Sequence, residues 1–196
     1  IRKLAVGVAS VSIGLFISNS IDIDSPFNIK IHNIVKASEI TDWKPQGNIV
    51  AQGIEGVSWE LYENGYLLFK PHNGNTTMIR NPIESSWAKY AEQIKAIGFS
   101  ETIQAPVNSE GLFASLNNLE YIETEKLDVS NVVNMESMFF NNAKENDSKI
   151  TELKVSNWNV SNVVNMNRMF MGLNNLKSLD VDNWDTSKVK DMYGIF

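Results

Sequence analysis

Phenylalanine returns at positions 113, 139, 170 and 196, in steps of 26, 31 and 26 residues, and a whole apolar pattern returns with it. Asn134-Met-Glu-Ser-Met-Phe139 matches Asn165-Met-Asn-Arg-Met-Phe170, and both match Asp191-Met-Tyr-Gly-Ile-Phe196. Asn108-Ser-Glu-Gly-Leu-Phe113 is a weaker copy. Upstream, Val129-Ser-Asn-Val-Val-Asn-Met135 matches Val160-Ser-Asn-Val-Val-Asn-Met166, with Thr186-Ser-Lys-Val-Lys-Asp-Met192 as the third version. Leu127, Trp158 and Trp184 hold one equivalent position, Ile122, Leu153 and Leu179 a second, and Leu119, Ile150 and Leu176 a third.

Each unit predicts two pieces of structure. Leu176 to Val181 alternates like one short strand, whereas Met135, Met138 and Phe139 stand at i, i+3 and i+4, as do Met166, Met169 and Phe170, which predicts one helical turn. Such a unit cannot cover its own apolar side, so neighbouring units are expected to stack, with Met192 and Phe196 completing the core in the last. The five extra residues of the long unit fall in the polar stretch between Phe139 and Ile150, a connection that a stacked array tolerates. Ile94 and Ile97 stand 25 residues before Leu119 and Ile122, so residues 94–113 read as a degenerate capping rung for an array over 94–196. The Met-Met-Phe runs could line a pliable groove, but recurrence in register favours core filling.

Before the repeats, residues 38–93 predict a small mixed α/β domain. Trp59 to Phe69 reads as a hairpin whose Asn64-Gly65 supplies a type I′ turn, pairing Glu63 with Tyr66 and Leu61 with Leu68. A polar stretch from Pro71 to Pro82 follows as loop. A short helix is expected next, with Ser85 or Ser86 as N-cap and Trp87, Tyr90, Ala91 and Ile94 on one face. The aromatic set of Trp43, Trp59, Tyr62, Tyr66, Trp87 and Tyr90 reads as core packing in preference to a sugar-stacking platform.

Residues 1–37 read as an address. Arg2-Lys3 precedes a run with no charge through Ile21, the pattern of an export signal. Its glycines and serines make it a weak permanent anchor, so membrane contact is expected only before cleavage. Val35-Lys36-Ala37 places cleavage after Ala37, with Ser18-Asn19-Ser20 as the alternative. The chain opens on Ile1 and stops directly after the apolar Phe196, which predicts a longer natural protein at both ends.

Composition narrows the chemistry. A net charge of −6, a pI near 5.0 and scattered Lys and Arg argue against a nucleic-acid partner. Cysteine is absent, and His32 and His72 stand far apart, so no metal ligand set, catalytic triad or cofactor is expected. Gly53-Ile-Glu-Gly56 lacks the Lys of a phosphate loop. Glu120 and Glu123 read as a solvated pair, not as acid–base catalysts. Asp180, Asp182 and Asp185 align with Lys154, Ser156 and Asn159, which argues for turn formers over a calcium loop. No catalytic residue is expected, and the chain is not read as an enzyme.

Two resemblances give these patterns a context. Ile1-Arg-Lys-Leu-Ala-Val-Gly-Val-Ala-Ser-Val resembles the YSIRK-type signal peptide of Gram-positive surface proteins, with the leading Tyr-Ser missing. Leu179-Asp-Val-Asp-Asn-Trp-Asp-Thr-Ser-Lys-Val and the Met and Phe that follow resemble the BspA-type leucine-rich-repeat surface proteins of bacteria, over residues 94–196. The first full unit departs from that pattern by lacking Trp, and the long unit has Leu153-Lys154-Val155 for Leu-Asp-Val. The resemblance implies an α/β leucine-rich-repeat-like solenoid of short parallel strands with helical turns. It also implies a cell-surface, wall-anchored adhesin whose partner is an extracellular protein or glycan. The competing expectation is a targeting or spacer region of a wall-associated glycan hydrolase whose catalytic domain lies beyond residue 196.

Overall fold

A computed structural model describes residues 20–25, 28–32, 43–79, 85–142 and 148–196. The chain divides into two compact units, Ile1–Asp42 and Trp43–Phe196. In the first, β1 (Ser20–Ser25) and β2 (Asn28–His32) pair antiparallel, Ile21 opposite Ile31, inside the segment read as an export signal. The expected cleavage point at Ala37 lies outside the described residues.

The second unit begins with three antiparallel strands, β3 (Ile49–Glu55), β4 (Val57–Tyr62) and β5 (Tyr66–Lys70). The β4–β5 register differs by one from the expectation: Leu61 faces Leu67 and Trp59 faces Phe69. Gly65 N–H bonds the Tyr62 carbonyl at 2.9 Å and Gly65 takes φ +83°, so Glu63-Asn64 form the turn and Gly65 the left-handed residue after it. That register puts Val57, Trp59, Leu61, Leu67 and Phe69 together on one buried face, which a shift by one would split. Burial of large apolar side chains, at about 1.5–3 kcal/mol each, decides between the two turns.

From β5 onward the sheet turns parallel. β6 (Ala96–Phe99) lies beside β5, and β8 (Tyr121–Ile122) beside β6, completing the order β3-β4-β5-β6-β8. One sheet therefore carries both the hairpin and the first two repeat units. Further short parallel pairs follow: β7 (Ile103–Gln104) with β9 (Leu127–Asp128), and β10 (Glu152–Leu153) with β11 (Ser178–Leu179). Single bridges link Asn108 to Asn134, Asn134 to Asn165 and Asn165 to Asp191, all parallel.

The expected α/β leucine-rich-repeat-like solenoid with helical turns is not what forms. Among the described residues there is no α-helix; two three-residue 3-10 turns, Ala88–Tyr90 and Thr124–Lys126, are the helical elements. The protein is predominantly β, in one mixed sheet and separate two-stranded pairs that do not close into a solenoid. The small N-terminal region is likewise not mixed α/β: the segment expected as a helix makes only the 3-10 turn, without a side-chain cap.

The reason lies in one recurring backbone angle. Two positions before each phenylalanine the chain is left-handed: Gly111 at φ +61°, Ser137 at +55°, Arg168 at +53° and Gly194 at +58°. A right-handed helical turn cannot pass through such a residue. The i, i+3, i+4 spacing is instead made by a turn, Met138 N–H to Met135 C=O at 3.1 Å, followed by chain that bonds across to the next unit.

Candidate binding surface

The repeat packs by a one-way ladder. The N–H groups of Met135, Ser137, Phe139 and Asn141 donate to the carbonyls of Asn165, Asn167, Met169 and Met171 at 2.7–2.9 Å. Ser109, Gly111, Phe113 and Ser115 donate in the same way to Asn134, Glu136, Met138 and Phe140. Met166, Arg168 and Phe170 donate to Asp191, Tyr193 and Ile195. Each layer thus offers donors toward the C-terminal side and carbonyls toward the N-terminal side.

Above that ladder the phenylalanine rings form a column. Phe113, Phe139, Phe170 and Phe196 stack at centroid distances of 5.8, 6.0 and 6.0 Å. Trp158 and Trp184 stack beside them at 6.5 Å, nearly coplanar at 4°. Their indole N–H groups donate to backbone carbonyls one layer back, Trp158 to Thr124 and Trp184 to Val155. Leu119, Ile122, Leu127, Met135, Met138, Phe139, Ile150, Leu153, Trp158, Met166, Met169 and Phe170 are all buried. Leu176, Leu179 and Trp184 are half-buried against that cluster. Met192 and Phe196 do not join the core: they are 42% and 72% exposed, because among the described residues no layer lies over the last one.

Aspartate and asparagine side chains hold the corners. Asn108, Asn134, Asn165 and Asp191 each accept, through Oδ1, the N–H two residues on. A second column, Asp128, Asn159 and Asp185, does the same for Ser130, Ser161 and Ser187. Asp180 accepts the Asp182 N–H, which gives that acidic run its turn-forming place. At Asp128 burial opposes ionisation, but hydrogen bonds from Ser130 and Gln104 prevail and hold the carboxyl below its ordinary range.

What faces outward varies from layer to layer. In register, the residue before the left-handed position is Glu110, Glu136, Asn167 or Tyr193; elsewhere Lys154 alternates with Asp180 and Ser156 with Asp182. Arg168 lies over the Tyr193 ring at 5.9 Å. One groove of about 430 Å³ is lined by the carboxylates of Glu125, Glu152 and Asp180 with Lys154 among them. Nearby, burial and then the charges of Glu123 and Glu125 raise the Tyr121 hydroxyl above its ordinary pKa. A second groove, about 520 Å³, is lined by Thr77, Ile79, Gln104, Pro106 and Val107 and carries no charge. Exposed Ile54, Ile79, Val107 and Val133 make that side the more apolar of the two.

Chemistry for catalysis is not assembled among these residues. Glu120 is exposed, and Glu123 pairs with Lys126 at 3.0 Å. His72 sits on an exposed turn beside Asn73. Among the described residues no group of three His, Cys, Asp or Glu side chains is placed to hold a metal, and no helix is long and apolar enough to cross a membrane. The aromatic set is split: Trp59 and Trp87 are buried, Trp87 edge-on to Phe69 at 5.0 Å, while Trp43, Tyr62 and Tyr90 are half-exposed.

Residues 107–196 match the model of a family described as a Mycoplasma protein of unknown function, DUF285. The matched stretch is the ladder of stacked layers from Val107 to the last ring of the column. No curated protein and no solved structure matches the chain. Two features of the surface were not read from the sequence, the asparagine corners and the left-handed position. Gly111 and Gly194, aligned with Ser137 and Arg168, were the available signal for the second.

Proposed function

We propose that this chain is an exported BspA-type surface protein, carrying a YSIRK-type signal, whose stacked layers form a non-catalytic binding module. Its partner is an extracellular protein or glycan, and its role is adhesion at the cell surface. One observation carries the reading. Ring, indole and methionine columns keep their register through every layer, whereas the outward positions beside them change charge and size. A scaffold that fixes its interior and diversifies its exterior is the economy of a recognition surface, in which a few exposed aromatic and Arg side chains supply most of the affinity. Tyr193 with Arg168, and the two grooves, are the positions where such contacts would be made.

The test is direct binding of the folded chain to immobilised extracellular-matrix proteins and bacterial-surface glycans. Saturable binding that is weakened by Tyr193→Ala or by Lys154→Glu supports the proposal. Absence of saturable binding across the panel would refute it and leave the targeting or spacer role.

A further inference from the structure

The chain contains two Asn-Gly dipeptides, and the fold places them in opposite chemical situations. Asn-Gly is the sequence at which an asparagine side chain is most open to attack by the next backbone nitrogen, because glycine adds no side chain to block the approach. Whether the attack occurs depends on what each participating atom is already bonded to.

At Asn64-Gly65 every participant is engaged. Asn64 Nδ2 donates to the Lys44 carbonyl at 2.9 Å, and Oδ1 accepts the Tyr66 N–H at 3.2 Å. The would-be nucleophile, Gly65 N, donates to the Tyr62 carbonyl at 2.9 Å. Gly65 is buried, and a Cβ placed there would lie 2.5 Å from the Gln93 carbonyl oxygen.

At Asn73-Gly74 the participants are open. His72 and Asn75 exchange both backbone bonds of a two-residue turn, at 3.0 and 2.9 Å, and the Gly74 amide takes no part in that pair. Asn73 is held at φ +51° and Gly74 at +77°, and both are exposed. A Cβ at Gly74 would meet nothing within 4 Å. The leaving nitrogen, Asn73 Nδ2, touches the His72 imidazole Nε2 at 3.2 Å.

We propose that Asn73 is a site of spontaneous covalent modification in the folded protein, converted to aspartate and isoaspartate, while Asn64 is protected. Hydroxide removes the Gly74 N–H proton, and the nitrogen attacks Asn73 Cγ. The Cγ–Nδ2 bond breaks, Nδ2 takes a proton from water, and ammonia leaves a five-membered imide. Water then opens either imide carbonyl, giving aspartate at one and isoaspartate at the other. Nothing is oxidised or reduced, and the co-reactant is water. Isoaspartate adds a carbon to the backbone between His72 and Asn75, the paired ends of the turn. Asn75 also clamps the Gly56 and Thr77 carbonyls, at 2.6 and 2.9 Å, and Thr77 bridges to Gln104 of the first layer. Conversion therefore loosens the joint between the hairpin and the repeats.

The experiment incubates the full folded chain at near-neutral pH and body temperature, then follows both dipeptides by peptide mapping with mass spectrometry. Conversion at Asn73 should run at least about tenfold faster than at Asn64, and the difference should vanish in concentrated urea. Asn73→Gln should remove the modification at this turn, with near-ultraviolet circular dichroism confirming an unchanged fold. Equal rates in the folded chain, or conversion of Asn73 seen only after unfolding, would overturn the proposal.

Discussion

Replacing Phe139 by Ala removes the middle of the ring column, and replacing Phe196 by Ala removes its end; the layered packing requires very different costs. Phe139 is 2% exposed and touches three rings, Phe113 at 5.8 Å, Phe170 at 6.0 Å and Trp158 at 6.1 Å. Truncating a buried phenylalanine costs about 3–5 kcal/mol, from lost transfer energy and the cavity left behind. The layers cannot close that cavity, because the flanking N–H groups of Ser137 and Asn141 are fixed to Asn167 and Met171 by bonds of 2.7 and 2.9 Å. The upper half of the range is therefore expected. Phe196, at 72% exposed with one stacked neighbour, should cost no more than about 0.5 kcal/mol. With a urea m-value of about 2 kcal/mol/M, Phe139→Ala lowers the midpoint by roughly 2 M, and Phe196→Ala leaves it nearly unmoved. Equilibrium urea unfolding followed by circular dichroism reads both. A Phe139→Ala cost below about 1 kcal/mol, or a Phe196→Ala cost equal to it, would refute the account of the column as the load shared between layers.

Other consequences follow from particular bonds. Ser137→Gly should stabilise the protein by about 1 kcal/mol in the same assay, because a left-handed φ costs an L-residue about that much and glycine nothing; Ser137→Val should destabilise it. Trp158→Phe keeps the stacking but deprives the buried Thr124 carbonyl of its indole donor, at a cost of about 1–3 kcal/mol by thermal or urea unfolding. Glu60 supplies a pH test: burial opposes its ionisation, but hydrogen bonds from Lys70 and Tyr62 and the Lys70 charge outweigh it and lower its pKa. A carboxyl lowered in the folded state contributes stability above its unfolded pKa and loses it as pH falls through the folded value. Stability should therefore decline on the acid side below the ordinary glutamate range, and Lys70→Met should flatten that decline in unfolding curves taken across pH.

The apolar columns were legible in the sequence because each is a single residue type or size recurring at a fixed step. Met135, Met166 and the phenylalanines needed no knowledge of backbone geometry to be grouped. Conformation was less legible, because one spacing has two physical origins. Side chains at i, i+3 and i+4 converge on a helix, and they also converge when a turn and a left-handed residue fold the chain back on itself. Only the residues between them separate the cases, and Ser137 and Arg168 conceal what Gly111 and Gly194 disclose. The hairpin failed similarly: Asn64-Gly65 fits a type I′ turn locally, but the burial of Trp59, Leu61, Leu67 and Phe69 on one face selects the neighbouring register. The true two-residue turn, Asn73-Gly74, sat inside a stretch read as unstructured loop.

The insertion in the long unit shows how the array divides its tasks. Phe139 and Phe170 are 31 residues apart, and Phe113 and Phe139 are 26 apart, yet their ring separations are 6.0 and 5.8 Å. The five added residues thus leave the column undisturbed, and the donor rows from Met135 to Asn141 keep bonds of 2.7–2.9 Å. Length can vary in a connection because closing a longer loop costs only the logarithm of its size, whereas slipping one residue within the ladder would turn every buried side chain outward. Selection acting on such a chain is free to change its connections and outward positions and is held to account at the rings, the methionines and the left-handed residue. The interior sets how layers are added; recognition is left to what the layers carry outside.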